Sequence, residues 1–71
     1  MATSLSELFP RFLKEYQNYV ILRIEGSNKT DAEKRDYIML AKKVVNYCVR
    51  GEITITEAVR ELNILETQVY I

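Results

Sequence analysis

The sequence predicts an all-α fold: a small bundle of three to four helices in a single domain. Three observations predict it. Only two glycines and one proline interrupt 71 residues of which 48% are apolar, a composition that folds yet holds few of the breakers a turn-rich sheet needs. Apolar residues recur at helical spacing along most of the chain. The pattern Ser/Thr-x-x-Glu, which closes a helix start by reciprocal side-chain and backbone hydrogen bonds, occurs at Ser4 and Glu7, Thr30 and Glu33, and Thr54 and Glu57.

The first helix carries its apolar stripe at Leu5, Leu8, Phe9, Phe12, Leu13, Tyr16, Val20 and Ile24. Pro10 falls inside this stripe, where it removes a backbone bond and crowds the preceding turn. The expectation is a main helix over about residues 10–25 with Pro10 in its first turn, or a kink. Gly26 ends it, and Ser27, Asn28 and Lys29 read as a loop. A second helix over about residues 31–50 starts at the Thr30 cap, buries Tyr37, Leu40, Ala41, Val44, Val45 and Cys48, and closes at Gly51. The short loop between them implies an antiparallel pair spanning residues 10–50, with Leu13, Tyr16 and Val20 facing Tyr37, Leu40 and Val44. Such a pair needs a third apolar surface. Ile55 to Leu62, capped by Thr54 and stapled by Ile53 against Ala58, supplies it.

Ten basic and ten acidic side chains give a formal charge of zero, so the chain lacks the long-range positive field that most free-standing nucleic-acid binders use. A basic patch would require Arg60 to meet Lys42, Lys43 or Arg50 in space. The longest apolar run, Tyr19 to Ile24, contains an arginine and is far too short to span a bilayer. No signal pattern opens the chain, so a cytoplasmic location and no membrane partner are expected. Histidine is absent, Cys48 has no second cysteine to pair with, and no glycine-rich phosphate loop is present. The expectation is accordingly no enzyme, no catalytic residues, no metal and no cofactor. Cys48 falls on the apolar stripe and reads as a packing residue.

The terminal stretch from Thr54 to Ile71 resembles the helix-turn-helix of bacterial and phage transcription regulators. The resemblance rests on Thr54 as cap, Glu57, Ala58 and Val59 after it, Leu62 before the turn, and Ile64 and Val69 beyond it. Asn63 stands where that family usually has glycine, and Val59 where it prefers alanine. Asparagine enters the left-handed region more readily than other residues with a side chain. The resemblance implies two helices, 55–62 and from 65 onward, the second lying in the major groove of double-stranded DNA. It also implies DNA contacts by Thr54, Arg60, Glu66, Thr67, Gln68 and Tyr70. Gln68 would pair with adenine, Thr67 would meet a phosphate or base, and Arg60 would hold a phosphate. The recognition helix is shorter than the family's, which fits either a fragment of a longer protein or a natural small protein that uses the motif for packing.

Tyr19, Ile21, Ile38, Met39 and Tyr47 fall off the main buried stripes. This surplus of apolar surface reads as an interaction face for a homodimer or a partner protein. The function expected from the sequence is a DNA-binding transcriptional regulator acting as a small dimer. The alternative is a protein–protein interaction module, an adaptor or inhibitor that touches no nucleic acid.

Overall fold

The computed structural model describes residues 5–70, with side chains from residue 11 onward. Among the described residues three helices follow one another: α1 (Leu5–Glu25), α2 (Asp31–Val49) and α3 (Ile55–Val69). Each packs on both others. Lys34 near the start of α2 donates from Nζ to the Glu25 carbonyl at 2.9 Å, and Tyr70 beyond α3 donates from its hydroxyl to the Arg23 carbonyl at 2.7 Å. The end of α1 therefore meets the start of α2 and the end of α3, which is the up-down-up order that short loops impose.

The core is built from one stripe of each helix: Leu13, Val20 and Ile24 of α1, Ala41 and Val45 of α2, and Ala58, Leu62, Leu65 and Val69 of α3. Ala41 and Ala58 are fully buried, and their small side chains let the helix backbones approach. Tyr16, Tyr37, Val44, Cys48 and Ile53 close the edges of this cluster. Among the described residues no helix is long and apolar enough to cross a membrane.

The two loops end and start helices by local chemistry. At the start of α2, Glu33 N–H donates to Thr30 Oγ1 at 3.2 Å, while Thr30 N–H and its hydroxyl donate to Glu33 Oε1 at 3.2 and 3.0 Å. Hydrogen bonds from the Thr30 backbone and hydroxyl hold the Glu33 carboxyl below the usual carboxylate range. Thr54 and Glu57 repeat the box at the start of α3. The box at Ser4 lies outside the described residues.

The end of α2 is a Schellman closure: Glu52 N–H donates to the Tyr47 carbonyl at 2.9 Å and Gly51 N–H to the Cys48 carbonyl at 3.0 Å. Gly51 takes φ 81° to make it. Gly26 does not enter that region; the turn there is fastened by the buried Ser27, whose hydroxyl donates to the Ile24 carbonyl at 2.6 Å. The two glycines should respond oppositely to alanine. Gly51→Ala places a Cβ in left-handed backbone and is expected to cost about 1–2 kcal/mol. A Cβ at Gly26 meets the Leu22 and Arg23 carbonyl oxygens at 3.5 and 3.9 Å, ordinary contacts, so Gly26→Ala is expected to change stability by less than about 1 kcal/mol. Urea titrations followed by circular dichroism separate the two.

Three local expectations are corrected. Helix α1 starts at Leu5 and runs through Pro10 instead of beginning there. A proline's φ is helical, so the residue withholds one N–H from the Ser6 carbonyl without ending the helix. Leu40 is half exposed rather than buried, because the core of α2 is centred on Ala41 and Val45 one position away. The largest correction concerns the tail. The two helices expected at 55–62 and from 65 are one unbroken helix, and Asn63 has no positive φ. Ala58, Leu62, Leu65 and Val69 repeat at four, three and four residues, so a single stripe docks on the core only if the helix continues. Asparagine within a helix costs less than the burial that continuity gains.

Candidate functional site

The side chains expected to contact DNA lie on one helix but not on one surface. Thr54 is occupied as the cap of α3. Glu66 turns toward α1, where Arg23 Nε lies 3.4 Å from its Oε1 and the Tyr19 hydroxyl donates to the same oxygen at 3.4 Å. Tyr70 turns the same way: besides its bond to the Arg23 carbonyl, its ring carries the Arg23 guanidinium 4.5 Å from the centroid. The Thr67 hydroxyl donates to the Asn63 carbonyl one turn back at 3.0 Å. Gln68 is exposed. Arg60 lies on the other flank of α3, in a groove facing α2 with Glu57 and Glu61.

The α1–α3 seam is thus a clamp. Tyr16 stacks on Tyr19 with ring centroids 6.1 Å apart. Burial first, then the neighbouring Glu66 and Tyr19, raises the Tyr16 hydroxyl above the ordinary tyrosine pKa. The neutral form is the one the fold favours. Stability from this site is therefore complete below the tyrosine pKa of the unfolded chain and declines as pH climbs from there through the higher folded value. Tyr16→Phe keeps the ring, and its denaturation midpoint is expected to fall less steeply on the alkaline side than that of the wild type.

The basic side chains divide between two grooves. Arg60 lies between Glu57 and Glu61 in sequence and in the groove. Arg50 stacks 5.3 Å from the centroid of Tyr47, a residue of the same groove, and lies 3.8 Å from Glu52. Lys42 lines a different groove, between α1 and α2, together with Lys14 and Gln17.

The five apolar residues singled out as an interaction face are also dispersed. Ile21 and Ile38 are half-buried against the core. Tyr19 belongs to the clamp with Glu66, Met39 is exposed on α2, and Tyr47 lines the α2–α3 groove. That groove gathers residues the sequence reading assigned elsewhere. Along α2 the positions Glu33, Tyr37, Leu40, Val44 and Tyr47 follow one another by three or four residues, which places them on one face. Two shallow depressions lie on this line, one by Tyr37 and Leu40 and one by Val44, Tyr47 and Ile53. From α3, Glu57, Arg60 and Glu61 line the second depression, and Ile64 follows Arg60 one turn further on, outside both. Leu40, Tyr47 and Ile64 remain 46%, 38% and 41% exposed. The signal for this face was the width of the apolar stripe of α2, broader than one core contact needs.

Among the described residues no group of three or more His, Cys, Asp or Glu is placed to hold a metal ion. Comparisons with family models, with curated proteins and with solved structures return no match. The functional reading rests on the geometry.

Proposed function

We propose that the chain is a protein–protein interaction module that docks a partner protein on the seam between α2 and α3. The observation that carries this reading is the exposed Leu40 and Tyr47 in two shallow depressions on one face of α2, with the exposed Ile64 one turn beyond Arg60 on α3. Exposed large apolar side chains beside shallow depressions and bordered by charge have the anatomy of a docking surface. A dimeric DNA-binding regulator has less support. Its recognition residues Glu66 and Tyr70 are committed to α1, and Arg60 is flanked by carboxylates instead of a basic track.

The test is affinity capture from cells of the source organism, comparing the wild type with a Leu40→Ser, Ile64→Ser double variant. Both positions are substantially exposed, so circular dichroism should show the variant folded. A defined partner retained by the wild type and lost by the variant is the expected result. Equal retention by both, or recovery of DNA in place of protein, would overturn the reading.

A further inference from the structure

Charge is unevenly divided along a chain whose formal total is zero. Residues 1–50 carry nine lysines and arginines against six aspartates and glutamates, a net +3, and residues 51–71 carry one against four, a net −3. The positive part holds the groove between α1 and α2, lined by Lys14 and Gln17 of α1 and Lys42, Val45, Asn46 and Val49 of α2. Among the described residues no carboxylate lines it, and the side-chain hydrogen bonds and ion pairs engage neither its two ammonium groups nor its two carboxamides. The charges around the groove leave its sign standing. Arg11 with Glu15, and Asp31 with Arg35, are opposite charges four residues apart on one helix and offset each other. Glu25 and Asp31 stand eleven residues from Lys14 and Lys42, about 16 Å away at the other end of the seam. Asp36 borders the depression at Tyr37 and Leu40, on the other flank of α2.

We propose that the α1–α2 groove is a second docking site and that it takes an acidic segment of a partner protein, with carboxylates over Lys14 and Lys42 and an aliphatic side chain on the exposed Val49. Charge complementarity selects the occupant: two ammonium groups and two carboxamides without acceptors in the fold are donors for carboxylate and carbonyl oxygens. A peptide suits the groove because its charges alternate with apolar side chains, as the lysines here alternate with Val45 and Val49. A nucleic-acid backbone draws on a longer run of cations than this groove holds. A second copy of this chain suits it less, since on α3 Glu57 and Glu61 flank Arg60 and Glu66 is committed to Arg23. The site is separate from the α2–α3 seam, and neither depends on the other.

The probes are two synthetic peptides of leucines interspersed with glutamates in one and with glutamines in the other, and a short mixed-sequence duplex DNA. Each is titrated at low salt into the ¹⁵N-labelled chain and followed by amide chemical shifts. The glutamate peptide is expected to shift the amides of Lys14 to Asn18 and Lys42 to Val49, to bind about tenfold tighter than the glutamine peptide, and to weaken as salt is raised. Lys14→Glu, Lys42→Glu should abolish the binding. Lys29→Glu, Lys43→Glu makes the same change of net charge outside the groove and should retain it. All four lysines are exposed, and circular dichroism checks that both double variants are folded. No binding by the glutamate peptide, equal binding by the two peptides, equal loss in the two double variants, shifts confined to other surfaces, or tighter binding of the duplex at the same amides would overturn the proposal.

Discussion

Leu62→Ala is expected to lower the unfolding free energy by about 2–5 kcal/mol, the largest loss from any single truncation described for this chain. Leu62 is fully buried at the middle of α3, among the largest side chains in the core, and α3 packs on both α1 and α2. Truncation removes apolar atoms and leaves a void within the core cluster. Domains of this size have small stabilities to begin with, so a loss of that order leaves a large fraction of the chain unfolded at ordinary temperature. Leu22→Ala is the matched control. Leu22 is 68% exposed on α1, and its truncation is expected to change stability by no more than about 0.5 kcal/mol. Urea unfolding followed by circular dichroism measures both, and similar midpoints for the two variants would contradict the assigned core.

The second large effect is at Ile64. In an unbroken α3 the Ile64 N–H belongs to the helix ladder, and proline there removes the bond to the Arg60 carbonyl and clashes with it, at a cost of about 3 kcal/mol or more. In a helix-turn-helix with its turn at Asn63, residue 64 precedes the second helix and its N–H has no such partner, so proline would cost little. Ile64→Ser separates the backbone effect from the side chain. Serine and isoleucine have similar helix propensities, and the side chain is 41% exposed, so the serine variant should stay folded while the proline variant is strongly destabilised. Equal stability of the two would place a turn where the structure has a helix.

Much of the fold was legible because it depends on local chemistry. The capping boxes at Thr30 and Thr54 start their helices where the spacing of threonine and glutamate says. Gly51 closes α2 in the left-handed conformation that a helix end favours. The loops are short, so the antiparallel order of the first two helices followed directly. What was misread depended on competition between signals. The resemblance around Asn63 set a turn against the spacing of Ala58, Leu62, Leu65 and Val69, and burial of those four decides in favour of the helix. Pro10 was weighed as a start signal, although its backbone angle is compatible with a helix already under way.

The candidate site was less legible than the fold for a physical reason. Glu66 and Tyr70 read as exposed polar positions of a recognition helix, and nothing local reveals that Arg23, more than forty residues earlier, takes both. Leu40 reads as core because its spacing from Tyr37 and Val44 is helical. Its exposure is set by where α3 lies across α2, a tertiary fact that spacing along one helix does not contain.

The central claim, that this chain docks protein and does not read nucleic acid, is tested most directly by titrating it into fluorescent mixed-sequence duplex DNA at low salt and following anisotropy. The account predicts no saturable binding, because Arg60 is flanked by Glu57 and Glu61 and the remaining cations do not form a track along α3. Binding that weakens steeply with added salt, and that Thr67→Ala and Gln68→Ala diminish, would contradict it.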